Sequence, residues 1–131
     1  MTRNRLIEQY HMIPHAEGGY YAETWRQEDK NVSHIFYLLP RGETAHWHRL
    51  NSDELWLFHQ GGEVTVTLGG SGKVPVPGKE IRLNSENLQC AVPKDTWQTA
   101  KAGDADVLVS CIVSPAFRWD QWELYPKEQE K

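Results

Sequence analysis

The stretch His46-Trp47-His48-Arg49-Leu50-Asn51-Ser52-Asp53-Glu54-Leu55-Trp56 reads as one β-strand, a short polar turn and the start of another. Alternate side chains on a strand leave the same face, so a regular strand here predicts His46 and His48 on one side with Trp47 and Arg49 on the other. Asp53 and Glu54 are consecutive and therefore point apart. With Glu54 facing inward, Trp56 and Phe58 share its face, while Leu55, Leu57 and His59 take the other. Two imidazoles and a carboxylate converging on one lumen can hold a divalent metal, or can move protons on a polar small molecule.

Outward from this stretch, short apolar runs recur between Gly, Pro, Asn and Asp. Strands are expected near Tyr20–Arg26, Ser33–Leu39, Ala45–Leu50, Glu54–His59, Glu63–Leu68, Glu80–Leu83, Gln89–Val92, Thr96–Ala100 and Val107–Val113. Gly61-Gly62 signals a tight hairpin, Gly69-Gly70-Ser71-Gly72 a loop tip, and Pro75-Val76-Pro77-Gly78 a loop or edge. Ahead of them Thr2 can cap a short helix carrying Leu6, Ile7 and Tyr10, ended at Ile13-Pro14. Many short strands and little helix predict an all-β, antiparallel jelly roll that hides its sheet edges by near closure. The 131 residues suit one domain, 1–131.

Composition narrows the function classes. The 14 Lys and Arg against 18 Asp and Glu give a net charge of −4, with no run of five like charges. A nucleic-acid backbone would need a basic face, so no nucleic-acid partner is expected. No stretch approaches membrane-spanning length and no signal-peptide block follows Met1, so a cytoplasmic chain with no membrane partner is expected. Cys90 and Cys111 sit in apolar runs and read as buried free thiols.

Three blocks resemble a known family: Pro14-His15-Ala16-Glu17-Gly18-Gly19-Tyr20-Tyr21-Ala22-Glu23-Thr24, then His46 to Trp56, then Val92-Pro93-Lys94-Asp95-Thr96-Trp97-Gln98. Val113-Ser114-Pro115-Ala116-Phe117 with Glu123-Leu124 adds a weaker fourth. The chain is similar to the small single-domain cupins of the cupin-5 (DUF985) group. That resemblance implies an antiparallel double-stranded β-helix, the cupin jelly-roll barrel, with its site in the barrel mouth and a common dimeric state. Gly42, His46, His48 and Glu54 resemble the first cupin motif, although five residues separate His48 from Glu54. In the second motif Asp95 stands where the pattern has Gly, and Gln98 where it has His. The third imidazole of the family is therefore absent, and an amide oxygen is the poorer ligand for zinc or iron.

The candidate site follows. His48 and Glu54 are the expected acid–base pair. His46, Gln98 and Tyr37 are expected to position a ligand, with Trp56, Glu17, Tyr21 and Glu23 as further binding residues. Arg26, Arg49 and Arg118 are candidates for an anionic substrate group, because guanidinium forks fit carboxylate and phosphate. The leading expectation is a small polar or sugar-like molecule, isomerised, epimerised or dehydrated by proton transfer. A metal-dependent dioxygenase or decarboxylase is the alternative, with iron, manganese, nickel or zinc on His46, His48, Glu54 and Gln98; a non-catalytic binding module is the third. A homodimer is expected, because Trp25, Trp47, Trp119 and Trp122 exceed what one lumen encloses.

Overall fold

The computed structural model describes residues 2–126. Helix α1 spans Arg3–Tyr10, and its cap is Thr2, whose hydroxyl accepts the Arg5 amide at 3.4 Å. It stops at Tyr10 because His11 turns left-handed and returns its amide to the Ile7 and Glu8 carbonyls. Leu6 and Met12 pack with Leu38 and Leu108 on the outside of a sheet. Arg3 forks onto Asp106 at 2.9 and 2.8 Å, pinning the helix start to a loop of the barrel.

Eleven strands follow: β1 Ile13–Pro14, β2 Tyr20–Arg26, β3 Ser33–Leu39, β4 Thr44–Leu50, β5 Asp53–Gly61, β6 Val64–Leu68, β7 Glu80–Leu83, β8 Gln89–Val92, β9 Gln98–Ala102, β10 Val107–Ser114 and β11 Trp122–Leu124. One sheet runs β1-β2-β3-β10-β5-β8 and the other β11-β4-β9-β6-β7. From β4 onward the chain crosses repeatedly between them, which is the winding of a double-stranded β-helix.

Inward positions of both sheets meet in one core. Tyr37, Leu39, Trp56, Val92, Val107 and Val109 come from the six-stranded sheet, and Ala45, Val64, Val66, Leu83, Ala100 and Ala102 from the other. Each fully buried Val or Leu contributes about 1.5–3 kcal/mol of transfer free energy, which makes this layer the main stabilising element.

Several expected boundaries shift. Gly61-Gly62 joins β5 to β6, but these strands lie in different sheets, so the glycines turn a corner between layers and close no hairpin. Gly61 has φ +107°, and a Cβ there would collide with the Asp106 carbonyl. β9 begins at Gln98 rather than Thr96, because Asp95 turns left-handed with φ 64° and donates its amide to the Leu50 carbonyl at 2.7 Å. The loop after β6 lies on the outer face of the smaller sheet, where the Gly72 carbonyl accepts Trp97 Nε1 at 2.9 Å.

Candidate functional site

The His46–His48 pair does not share a face. β4 and β9 pair Ala45 with Ala100 and then His48 with Gln98, so three steps along β4 match two along β9. The extra residue is a β-bulge, and it breaks the period of two on which the expectation rested. Ala45 and His48 are both buried, whereas the His46 side chain is exposed. His46 serves the site through its backbone instead: its amide donates to the Glu17 carbonyl at 2.7 Å, and its carbonyl lies 2.8 Å from Nδ1 of His48. A carbonyl only accepts, so Nδ1 carries the proton and Nε2 of neutral His48 is a bare lone pair.

That lone pair faces Glu17 Oε1 at 3.4 Å. Glu17 sits on the turn between β1 and β2, where its amide donates to His15 Nδ1 at 3.2 Å and its Oε1 accepts Trp122 Nε1 at 3.2 Å. Its Oε1 is also 3.6 Å from His15 Nδ1. Gly18 makes the turn possible: with φ +114°, a Cβ would stand 2.7 Å from the Thr44 carbonyl.

These contacts are not ion pairs. Burial pushes the Glu17 carboxyl up to about 8, against a small opposing pull from the Trp122 hydrogen bond. Burial holds His15 down at about 3, helped by the neighbouring His48. His48 is lowered by the same desolvation, opposed by the charge of Glu54. Near neutral pH the cluster is a carboxylic acid between two neutral imidazoles.

Glu54 enters from β5, level with Val113 of β10 and Val92 of β8. Trp56 Nε1 can only donate, so the Gln98 oxygen, 2.9 Å away, accepts it. The amide nitrogen then faces Glu54 and donates to Oε1 at 2.7 Å. Burial is the first cause raising the Glu54 carboxyl, and the neighbouring His48 and the hydrogen bond from Gln98 only partly oppose it. Gln98 and Trp56 stand behind Glu54 and orient it; neither belongs to the cavity wall.

The cavity measures about 80 Å³. Of the expected residues, Glu17, Tyr21, Glu23, Tyr37, His48 and Glu54 line it, together with Arg26. Tyr37 is tied down, its hydroxyl donating to the Gly18 carbonyl at 2.7 Å. The wall also contains His15, Cys111, Phe117, Trp119 and Trp122, which the sequence reading did not place at the site. The C-terminal aromatics get there because β11 pairs with β4, matching Trp122 to Leu50 and Leu124 to His48. Trp119 stacks edge-on against Trp122 at 5.1 Å and Phe117 at 4.8 Å. The fourth family-like block, Val113 to Phe117 with Glu123-Leu124, was the available signal. Trp47, counted as surplus, lies against Gly69 of its own chain, while Trp25 stays half exposed at 53 %.

The metal ligands expected from the resemblance are not arranged as a coordination shell. His46 points away, and Gln98 presents nitrogen toward Glu54 with its oxygen committed to Trp56. Among the described residues no group of three or more His, Cys, Asp and Glu side chains is placed to hold an ion. The donor set therefore does not fit a resident divalent metal.

The model of the cupin superfamily family DUF985 matches residues 4–125. Among solved structures the chain is similar to protein SO0799 from Shewanella oneidensis, at 30 % identity and TM-score 0.81, covering 95 % of this chain and 85 % of that one. A hypothetical protein from Leishmania major is 27 % identical with TM-score 0.77, over 95 % of this chain and 88 % of that one. KdgF from a Halomonas species shares the fold at 20 % identity and TM-score 0.68, over 86 % and 92 % of the two chains. No curated protein matches the sequence.

Proposed function

The chain belongs to the DUF985 family of the cupin superfamily, and from the chemistry of its barrel mouth we propose that it binds a small polar molecule there and isomerises, epimerises or dehydrates it by proton transfer. The observation that carries this reading is the buried Glu17–His48 contact, 3.4 Å between a carboxyl and an imidazole lone pair, with a second raised carboxyl on Glu54.

One proton lies between two bases, Glu17 and His48 Nε2, and burial raises the Glu54 carboxyl on the same cavity. The Glu17–His48 pair takes a proton from the carbon next to a carbonyl, and a proton from the Glu54 carboxyl goes to the carbonyl oxygen on which the electron pair accumulates, giving an enol. Return of a proton to either carbon isomerises or epimerises the substrate, and loss of the protonated hydroxyl dehydrates it. Groups with values moved toward neutrality suit such transfers. Gln98 and Trp56 fix the direction in which Glu54 presents its proton, and the aromatic wall limits water.

The test is exchange of carbon-bound hydrogen in heavy water. Purified protein is incubated with a panel of small aldoses, ketoses and hydroxy acids and followed by proton NMR. Time-dependent loss of a C–H signal, abolished by His48→Gln, supports the reading; tight binding with no exchange for any member would make the protein a binding module. We also propose that it acts in the cytoplasm as a homodimer, for which exposed Trp25 and Trp119 are the support; a monomer mass by sedimentation at micromolar concentration would overturn the second part.

A further inference from the structure

The three arginines singled out in the sequence have different fates. Arg49 lies 4.3 Å over the Trp97 ring, donates from Nε to Glu123 at 2.9 Å and from Nη1 to the Ser71 and Gly72 carbonyls at 3.3 and 2.9 Å. Arg118 is taken up by Asp120 at 2.7 Å on the surface. Arg26 lines the cavity.

A second bulge puts it there. On a regular strand residues 23 and 26 face opposite sides, but the register of β2 on β3 shifts between Glu23 and Trp25. Glu23 and Arg26 consequently both reach the cavity, where Arg26 forks onto Glu23 at 2.8 and 2.9 Å. The fork locks the guanidinium plane and uses two of its five N–H bonds, leaving three. Both Glu23 oxygens accept from Arg26, and the three remaining N–H bonds of the guanidinium are the donors the pair offers an incoming group.

The register partner of Arg26 is Ser33, only 1 % exposed and also in the cavity wall. Its oxygen accepts the Phe117 amide at 2.9 Å, which fixes the hydroxyl at the cavity wall with its O–H available to donate. A hydroxyl beside a guanidinium gives a second donor to an acceptor entering the cavity.

Ser33 pairs with Val113, and Val113 with Glu54. The donor end and the proton-transfer end are therefore two strands apart, about 9–10 Å between backbones, and side chains shorten that gap. The cavity of about 80 Å³ holds a handful of atoms, at about 10–15 Å³ per water.

We propose that Arg26 and Ser33 form a carboxylate subsite, so that the molecule acted on is a small hydroxy or keto acid, its acid group on Arg26 and Ser33 and its reacting carbon beside His48 and Glu54. This rests on the proton-transfer reading for the second half only; the subsite is tested by binding alone.

The probes are glycerate and lactate, each against its uncharged counterpart, glycerol and propane-1,2-diol, titrated by tryptophan fluorescence, since Trp119 and Trp122 line the cavity. Each acid is expected to bind at least tenfold more tightly than its alcohol. The double variant Glu23→Gln/Arg26→Gln, which leaves no lone carboxylate at the rim, should abolish that preference, bringing each acid to the affinity of its alcohol; Ser33→Ala should reduce it severalfold. Equal affinity for acids and alcohols, failure of both acids to bind, or an unaltered preference in the double variant would each overturn the subsite. Hydrogen exchange on neutral sugars with no acid binding would sink the subsite and keep the proton-transfer reading; acid binding without exchange would do the reverse.

Discussion

Two ends of one barrel interior are made from the same strands and are equally buried, yet opposite in chemistry. β9 supplies Ala100 and Ala102 to one end and Gln98 to the other; the first meets Val64, Val66 and Leu83, the second His48, Glu54 and, from the entry turn, Glu17. At the apolar end every enclosed atom stabilises the fold. At the polar end enclosure raises the two carboxyls and lowers the imidazoles, so burial there costs stability and shows up as altered protonation. The difference indicates that one end holds the barrel shut and the other uses the resulting dryness.

The sharpest break of this contrast is chemical. Glu54→Gln keeps shape and a hydrogen bond to Gln98 but removes the proton, so it should slow any exchange by about 10²–10⁴-fold, the usual reach of a positioned acid, with melting temperature nearly unchanged. The reciprocal change is Leu83→Ala, at a side chain with no exposure. It should cost about 2–5 kcal/mol in denaturant unfolding and leave ligand affinity at the mouth intact. Loss of affinity in step with stability would mean that the two ends are not separable.

The pH dependence of unfolding reads the polar end directly. Glu17 rises from 4.5 unfolded to about 8 folded, so its stabilisation is complete below pH 4.5 and is lost as pH climbs through 8. His15 falls from 6.5 to about 3, so its stabilisation is complete above pH 6.5 and is lost as pH falls through 3. Together they predict a plateau between pH 4.5 and 6.5 with limbs of about 1.4 kcal/mol per pH unit on either side. Glu17→Gln should flatten the alkaline limb and spare the acid one. The smallest effect is Trp122→Phe, which removes the N–H that favours ionised Glu17. By about one hydrogen bond's net worth, the alkaline limb should end higher, by less than about one pH unit.

Much of the barrel is legible in the sequence because alternation is a local signal. Ser33–Leu39, Glu80–Leu83 and Gln89–Val92 form strands with the ends read from punctuation alone, and Glu54, Trp56 and Phe58 face the core as their spacing predicts. What escaped is set by partners distant in sequence. The bulge at 46–47 exists because β4 must match β9, and that at 24 because β2 must match β3. β11 has three residues, too few for alternation to register, and forms only against β4. His15 lay in a stretch noticed for its glycines and acids; its role needed Glu17 to fold back over it.

The bulge in β4 has a consequence for how such chains diverge. Position 46 contributes a peptide group to the site and sends its side chain into water. Any residue with an amide hydrogen can hold Glu17 and fix the tautomer of position 48 equally well, and proline alone, lacking that hydrogen, cannot. The first histidine of the His-x-His signature is thus free to drift here without chemical penalty, and its presence or absence in a relative says little about whether the same proton-handling centre survives.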